Sequence, residues 1–316
     1  MARQRLWFLV GPTASGKSAV GLLVAERLRA EIISLDSMAV YRGMDIGTAK
    51  PSAADRARVP HHLIDLADPC EAFSTGRYVG AADAAIADVA RRGRMPLVVG
   101  GTALYLKALT EGFFDGPSAD WALRNRLHAE AAEHGTPALH ARLRELDPAA
   151  AARIHPNDLR RIVRALEVHE VTGQPISEQQ TQWGHRPPAC EPQAGRLCHL
   201  AGLRRDRADL YERINRRVDA MFEAGLLDEA AGLLADPRAI SHAASQFVGY
   251  REAIACLRGE CTPAEARELV KTRTRQFAKR QLTWFRHFPQ ICWVDARPDS
   301  STEELADAVI HALGLA

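Results

Sequence analysis

No apolar run in the 316 residues approaches the roughly 20 that a membrane helix needs, so a membrane-spanning role is not expected. The opening residues, positive and then apolar through Leu6–Val10, resemble the start of a secretory signal. The apolar part is too short for one and runs directly into a glycine-rich loop, so a first β-strand is the expectation. Cysteine is sparse. Six residues, Cys70, Cys190, Cys198, Cys256, Cys261 and Cys292, form no CxxC pair and no disulfide framework, which points to reduced thiols and a cytoplasmic location. Cys190, Cys198 and His199 come nearest to a metal cluster, but their spacing fits no zinc module. Charge of one sign is also lacking: 41 basic against 39 acidic side chains leave a formal +2, which neither demands nor excludes a nucleic-acid partner. Glycine and proline follow no period, which excludes collagen-like chains, and 47% apolar content excludes disorder as the dominant state. No internal repeat is present.

What is there is an alternation of short apolar runs with helical patterns. Residues 5–10 read as a buried strand, Lys17 to Leu28 as a helix with Val20, Leu23, Val24 and Leu28 on one face, and Glu31–Asp36 as a second strand. This is a βαβ unit and implies a parallel sheet. Tyr78–Arg92 reads as a helix, Met95–Thr102 as a strand ending in glycines, and Thr102–Leu109 as the next helix. After Gly116-Pro117, where Ser118 or Asp120 can cap a new helix, the pattern from Trp121 to Gly173 is helical throughout. Breaks fall at Gly135–Pro137, Asp147-Pro148 and His155-Pro156. Gly184–Gly195 reads as a linker, Cys198–Leu203 as a strand returning to the sheet, and Ile291–Val294 as a late strand. The expected architecture is α/β: a P-loop NTPase-like parallel sheet flanked by helices, built from residues 1–114 and 197–316, with an all-helical insertion over 115–196.

Gly11-Pro12-Thr13-Ala14-Ser15-Gly16-Lys17-Ser18 matches G-x-x-x-x-G-K-S/T between a strand and a helix, the context that this phosphate-binding loop requires. Backbone amides and the helix N-terminus attract phosphate, Lys17 adds a full charge, and the Ser18 hydroxyl can ligate Mg²⁺. The motif specifies a di- or triphosphate, such as ATP, without saying which. A nucleotide-hydrolysing motor would carry a carboxylate at the end of a later strand, yet Pro96–Val99 ends in Gly100-Gly101-Thr102. The carboxylate stands instead after the second strand, at Asp36. Ligands of open α/β sheets sit at the strands' carboxyl ends, so Asp36, Thr102 and the loop are expected in one crevice.

Several blocks together resemble the bacterial tRNA dimethylallyltransferase family (IPP transferases), in order and over nearly the whole chain. They are the loop from Gly11 to Ser18, Ile33–Ser37, Tyr41–Pro51, Pro60–Asp65, Val98–Thr102, Arg153–Asp158 with Arg164–Val168, Val248–Arg251 and Lys279–Trp284. Ser18 departs from the threonine of many relatives but keeps the hydroxyl. The resemblance implies transfer of a dimethylallyl group from its diphosphate to N6 of the adenosine 3′ of the tRNA anticodon. It implies that the loop holds the prenyl diphosphate with Mg²⁺, that Asp36 is the general base, and that Thr102 lies beside it. Two further cations are expected on the diphosphate. Arg213 and Arg217, at i and i+4 on one helix face, are the candidates, with no means of choosing between them.

For the RNA, the resemblance points to Asp36, Ser37, Met38 and Ala39, to Thr102 and Arg124, to Arg160, Arg161, Ile162, Val163 and Arg164, and to Gln246, Phe247, Val248, Gly249, Tyr250 and Arg251. The anticodon stem-loop is expected on the helical insertion. A further basic stripe, Lys271, Arg273, Arg275, Lys279, Arg280 and Arg286, falls in a stretch free of acids between Glu268 and Asp295, with Trp284 and Phe285 expected on the core. His61 and His62 read as structural. The chain is expected to act as a monomer. Two other activities fit part of the pattern: prenyl transfer to a free adenine nucleotide, and a P-loop small-molecule kinase. The insertion and the basic stripe argue against the first, since a small acceptor needs neither; the second predicts nucleotide binding and phosphoryl transfer.

Overall fold

The computed structural model describes residues 4–112, 116–117, 119–180 and 196–315. It divides into two compact units, one of Met1–Thr110 with Ala194–Ala316 and one of Glu111–Gln193.

The first unit begins with β1 (Gln4–Val10), α1 (Lys17–Arg27) and β2 (Ala30–Leu35). Then follow α2 (Ala53–Arg58), β3 (His61–His62), α3 (Thr75–Arg91), β4 (Met95–Gly100) and α4 (Ala103–Glu111). The second unit contains α5 (Trp121–His134), α6 (Thr136–Leu146), α7 (Pro148–Arg153), α8 (Leu159–Thr172) and α9 (Ile176–Gln179). The chain returns through β5 (Arg196–Arg204), α10 (Arg207–Glu223), α11 (Leu226–Ala235), α12 (His242–Ser245), α13 (Tyr250–Leu257), α14 (Pro263–Phe285), β6 (Ile291–Asp295) and α15 (Thr302–Ala312). The expected linker, Ser118 and Cys190 lie outside the described residues.

The strands make one parallel sheet in the order β3-β2-β4-β1-β5-β6. Side chains alternate across it. Leu6, Phe8, Val10, Ile33 and Leu35 face α3, α4 and the end of α14, where Phe285 is buried. Leu9, Ile32, Leu97 and Val99 face α1 and α15. The chain steps from β1 to β2 on one side and later reaches β5 on the other, so the ends of β1, β2 and β4 open on a topological switch point.

β3 and α2 were not legible in the sequence. β3 pairs two residues, His61 with Ile32 and His62 with Ile33, too few to carry a period. α2 is a single capped turn and a half, held by a reciprocal Ser52–Asp55 box. His62 Nε2 lies 2.7 Å from Glu31 Oε2 and His61 Nδ1 lies 2.7 Å from the Val59 carbonyl oxygen. Both histidines are therefore engaged in holding the sheet edge.

The helical unit packs around Leu127, Leu139, Leu143, Ile162, Leu166 and Val168. Helices α5, α7 and α8 begin where a short polar side chain caps: Asp120, Asp147 and Asp158 each accept a backbone N–H of the first turn. Glu167, fully buried, accepts from Arg124 at 2.8 and 2.9 Å, from Arg164 at 2.6 Å and from the Asp120 amide at 2.8 Å. Among the described residues no helix is long and apolar enough to cross a membrane.

Candidate active site

β1 ends in the loop 11–16, and α1 starts at Lys17 because Gly16 adopts φ +98°, a left-handed turn that side-chain-bearing residues resist. Two loop amides are used within the protein: Ser15 N–H donates to the Pro12 carbonyl (3.3 Å) and Thr13 N–H donates to Gln281 Oε1 (2.9 Å). The amides of Ala14, Gly16, Lys17 and Ser18 have no acceptor among the described residues. These are the donors left for an anion, at the positive end of α1.

The cations converge on the same place. Lys17 Nζ lies 3.2 Å from the Pro12 carbonyl oxygen. Arg213 Nε donates to the Ala14 carbonyl (2.9 Å), and Arg217 donates to the Thr48 carbonyl (3.4 Å). Neither arginine has a carboxylate within ion-pair distance among the described residues. Burial, reinforced by Arg217 and partly opposed by Asp36, pushes the Lys17 ammonium down to about 8. Burial also lowers Arg217, with Asp36 again opposing, and burial together with Arg205 lowers Arg213. Buried cations without counter-ions are costly, and a bound polyanion relieves that cost.

Asp36 stands at the end of β2. Its Oδ1 accepts from the amides of Met38 (2.8 Å) and Ala39 (3.3 Å), while Oδ2 has no hydrogen-bond partner among the described residues. Thr102, just past β4, accepts from the Ser37 amide through Oγ1 at 3.1 Å. Thr13, Lys17, Ser18, Asp36, Ser37, Thr102 and Arg217 all line one crevice of about 540 Å³, with Val218, Met221, Phe247, Val248, Val270 and Phe277 supplying apolar wall. A second cavity of about 350 Å³ is lined by Gly16, Arg213 and Arg216, and shares Lys17, Ser18 and Arg217 with the first. The loop, Asp36 and Thr102 are thus brought together. Of the arginine pair, Arg217 borders the Asp36 crevice and Arg213 does not.

Several sequence expectations need correction. Ile162, Val163, Met38 and Tyr250 are core residues and offer no surface to RNA. The Tyr250 hydroxyl donates to Glu229 Oε1 at 2.5 Å. The basic stripe is not one free face. Lys271 bonds Asp219 on α10 and Glu268 on its own helix, Arg273 pairs with buried Glu252 on α13, and Arg275 donates to Asn215 on α10. Lys279, Arg280 and Arg286 remain exposed. Trp284, expected on the core, is 38% exposed, since one turn of helix cannot bury both it and Phe285 on the same side. In the helical unit Arg160 and Arg161 are exposed, whereas Arg124 and Arg164 are held by Glu167.

Three contributors were missed. Arg205, following β5, donates to the Ser15 carbonyl at 2.8 Å. Glu229 accepts from the amides of Asp45, Ile46 and Gly47 (2.8–3.1 Å) and so fixes the loop whose Thr48 carbonyl holds Arg217. Gln281 bridges two strand ends. Each acts through chain segments far apart in sequence, so no local pattern announced it.

The family model described as IPP transferase matches residues 39–288. A tRNA dimethylallyltransferase of Symbiobacterium thermophilum is 50% identical over 307 residues, covering 96% of this chain and 93% of the relative. The chain belongs to the IPP transferase family. A second family member, the tRNA dimethylallyltransferase of Geobacter sulfurreducens, is 48% identical over 294 residues, 93% of each chain. Among solved structures, the tRNA isopentenylpyrophosphate transferase of Bacillus halodurans aligns with a TM-score of 0.69 at 41% identity, covering 98% of this IPP transferase and 97% of that chain. A eukaryotic dimethylallyltransferase acting on tRNA aligns with a TM-score of 0.79 at 29% identity, covering 97% of this chain and 78% of that one.

Proposed function

We propose that this chain transfers a dimethylallyl group from dimethylallyl diphosphate to N6 of the adenosine 3′-adjacent to the anticodon of tRNA. The observation that carries the reading is the set of half-buried cations around the loop, Lys17, Arg213 and Arg217, none of them in an ion pair among the described residues, opening on a crevice where Asp36 keeps one oxygen free. A polyanion satisfies the cations, and the apolar wall suits an isoprenoid tail.

The chemistry follows from the charges. The allylic C–O bond breaks and its electron pair leaves with the diphosphate. Lys17, Arg217 and the amides of Ala14 and Gly16–Ser18 stabilise that charge better as it grows. The N6 lone pair forms the new C–N bond. An aromatic amine is a weak nucleophile, so removal of its proton by Asp36 Oδ2 contributes roughly 10²–10⁴ in rate. Thr102, oriented by the Ser37 amide, lies beside the same centre. The adenosine leaves its stack to reach Asp36. Exposed Arg160, Arg161, Lys279, Arg280 and Arg286 supply phosphate contacts, and Gln246 and Arg251 polar contacts near the crevice wall.

Among the described residues no cluster of His, Cys, Asp or Glu makes a protein-only metal cage. Mg²⁺ suits this donor set, because it keeps waters and binds through substrate phosphates and a single hydroxyl, here Ser18. When bound, it adds positive charge to the leaving diphosphate.

The test uses purified protein, dimethylallyl diphosphate labelled in the prenyl group, an anticodon stem-loop RNA and free AMP. Label entering the RNA alone supports the reading. Label in AMP would favour a free-nucleotide acceptor, and ATP-dependent phosphorylation of a small molecule would favour a kinase; either overturns it.

A further inference from the structure

We propose that Gln281 is a positioning residue that sets the spacing between the phosphate loop and the Asp36–Thr102 edge of the crevice. This deepens the proposed function and rests on it.

Gln281 lies on α14, buried, with its amide turned into the crevice wall. Oε1 accepts the Thr13 N–H at 2.9 Å, and Nε2 donates to the Gly101 carbonyl at 2.9 Å. Thr13 follows β1 and Gly101 follows β4, which are adjacent in the sheet. One carboxamide thus ties the ends of two neighbouring strands. A primary amide carries a donor and an acceptor side by side, which a carboxylate or an ammonium does not. The approach is close: a Cβ at position 101 would stand 2.5 Å from Nε2, so a larger residue there would displace the carboxamide.

Each end of the bridge leads to a reacting group. At one end, the Thr13 amide is occupied by Gln281, which leaves the amides of Ala14 and Gly16–Ser18 to hold phosphate and fixes where the loop presents them. At the other end, Gly101 leads directly to Thr102, whose Oγ1 accepts the Ser37 amide next to Asp36. The diphosphate is held by the end of β1 and the base by the end of β2, with β4 between them in the sheet. Nucleophile, carbon and leaving oxygen must lie in line for transfer, and a displacement of about 1 Å costs about 10²-fold in rate. Gln281 sets that separation without touching the reacting atoms.

The experiment measures prenyl transfer to an anticodon stem-loop RNA by wild type, Gln281→Met and Gln281→Glu, with melting temperatures alongside. Gln281→Met keeps the volume and removes both bonds. Its kcat is expected to fall by about 10–100-fold while KM for the RNA stays within about threefold. Gln281→Glu keeps the acceptor for Thr13 but sets a carboxylate oxygen against the Gly101 carbonyl. Its rate relative to wild type is expected to rise as pH falls from about 8.5 to 6, because the introduced buried carboxyl takes up a proton and donates it to Gly101. A purely structural role would lower melting temperatures and leave that ratio flat. A Met variant within twofold of wild-type kcat, or a flat ratio for the Glu variant, overturns the assignment; should the Met variant fail to fold, the Glu profile alone decides. Wild-type protein that does not prenylate the RNA overturns the proposed function and this role with it, whereas an active wild type with indifferent variants overturns this role alone.

Discussion

In the proposed reaction Asp36 and Lys17 take opposite tasks, and each carries its own test. Asp36 has one oxygen fixed by two amides and the other free, the arrangement of a base oriented for a single proton. Asp36→Asn keeps the shape and removes the basicity. Single-turnover transfer is expected to drop by about 10²–10⁴-fold with RNA affinity within about threefold; weakened affinity with undiminished chemistry would refute the assignment. Lys17 sits at about 8 because burial and Arg217 disfavour its charge. An anion favours the charged form, so diphosphate binding is strongest below that value and weakens as pH rises through it. Lys17→Arg keeps its charge throughout this range. The ratio of wild-type to Lys17→Arg affinity for inorganic pyrophosphate, measured by calorimetry, is therefore expected to fall above about pH 8, by up to about tenfold per unit. A ratio independent of pH would show that Lys17 stays charged in the empty site.

Helix α14 illustrates how one element serves several neighbours at once. Phe285 packs under the sheet, Gln281 ties two strand ends, Val270 and Phe277 wall the crevice, and Lys271 and Arg273 bind acids on other helices. Of its basic residues only Lys279 and Arg280, joined by Arg286 just past its end, are exposed and without an ion pair among the described residues. Neutralising these three is expected to weaken RNA binding and to reduce the slope of log affinity against log salt by roughly 0.7–0.9 for each phosphate that is no longer neutralised. Neutralising Lys271 is expected to leave that slope unchanged and to lower the melting temperature, since Asp219 then has no lysine partner. Equal slopes for both variants would remove α14 from the RNA interface. The loop from Asp45 to Gly47 belongs to the same scale: it has no regular structure, and its conformation comes from Glu229 on α11, which accepts three successive amides.

At the scale of the whole molecule, the α/β unit and the helical unit are stabilised differently. The first has the broad apolar faces of a sheet. The second packs a smaller core and buries Glu167 between two arginines. Burial alone would raise the Glu167 carboxyl, but hydrogen bonds from Arg124, Arg164 and the Asp120 amide outweigh it and hold the group below its usual 4.5. Its contribution is therefore fully present above the unfolded value and is lost as pH falls through the lower folded one. Glu167→Gln is expected to cost about 3 kcal/mol, since it leaves two partly buried arginines without a counter-charge. Protection of α5 and α8 against hydrogen exchange, taken relative to the intrinsic rate at each pH, should fall in the wild type as pH drops through the lowered Glu167 value, and in the variant this acid step should vanish. An acid step that survives in Glu167→Gln would assign it to another carboxylate.

Much of this was legible without coordinates, for identifiable reasons. The phosphate loop announces itself because its function needs glycines and a lysine at fixed spacing within eight residues. The strand after it, the helix breaks at Gly135, Asp147 and Pro156, and the late strand at Ile291 are written in local periodicity and capping. The family resemblance lay in the same short blocks. Local order was silent on β3, whose two residues carry no period, and on which charges are free. It counted six basic residues along 271–286 as one stripe, because the acids that take up Lys271 and Arg273 lie at 219 and 252. It placed buried Tyr250 and Ile162 together with the exposed residues beside them, because adjacent residues on a helix point in different directions. The sequence by itself determined which groups the protein carries and the elements that hold them, since propensity, caps and phosphate-loop geometry act over a few residues. Only the tertiary structure decided which of those groups share the crevice and which are spent on one another, because hydrogen bonds such as Thr13–Gln281–Gly101 join positions 180 or more apart.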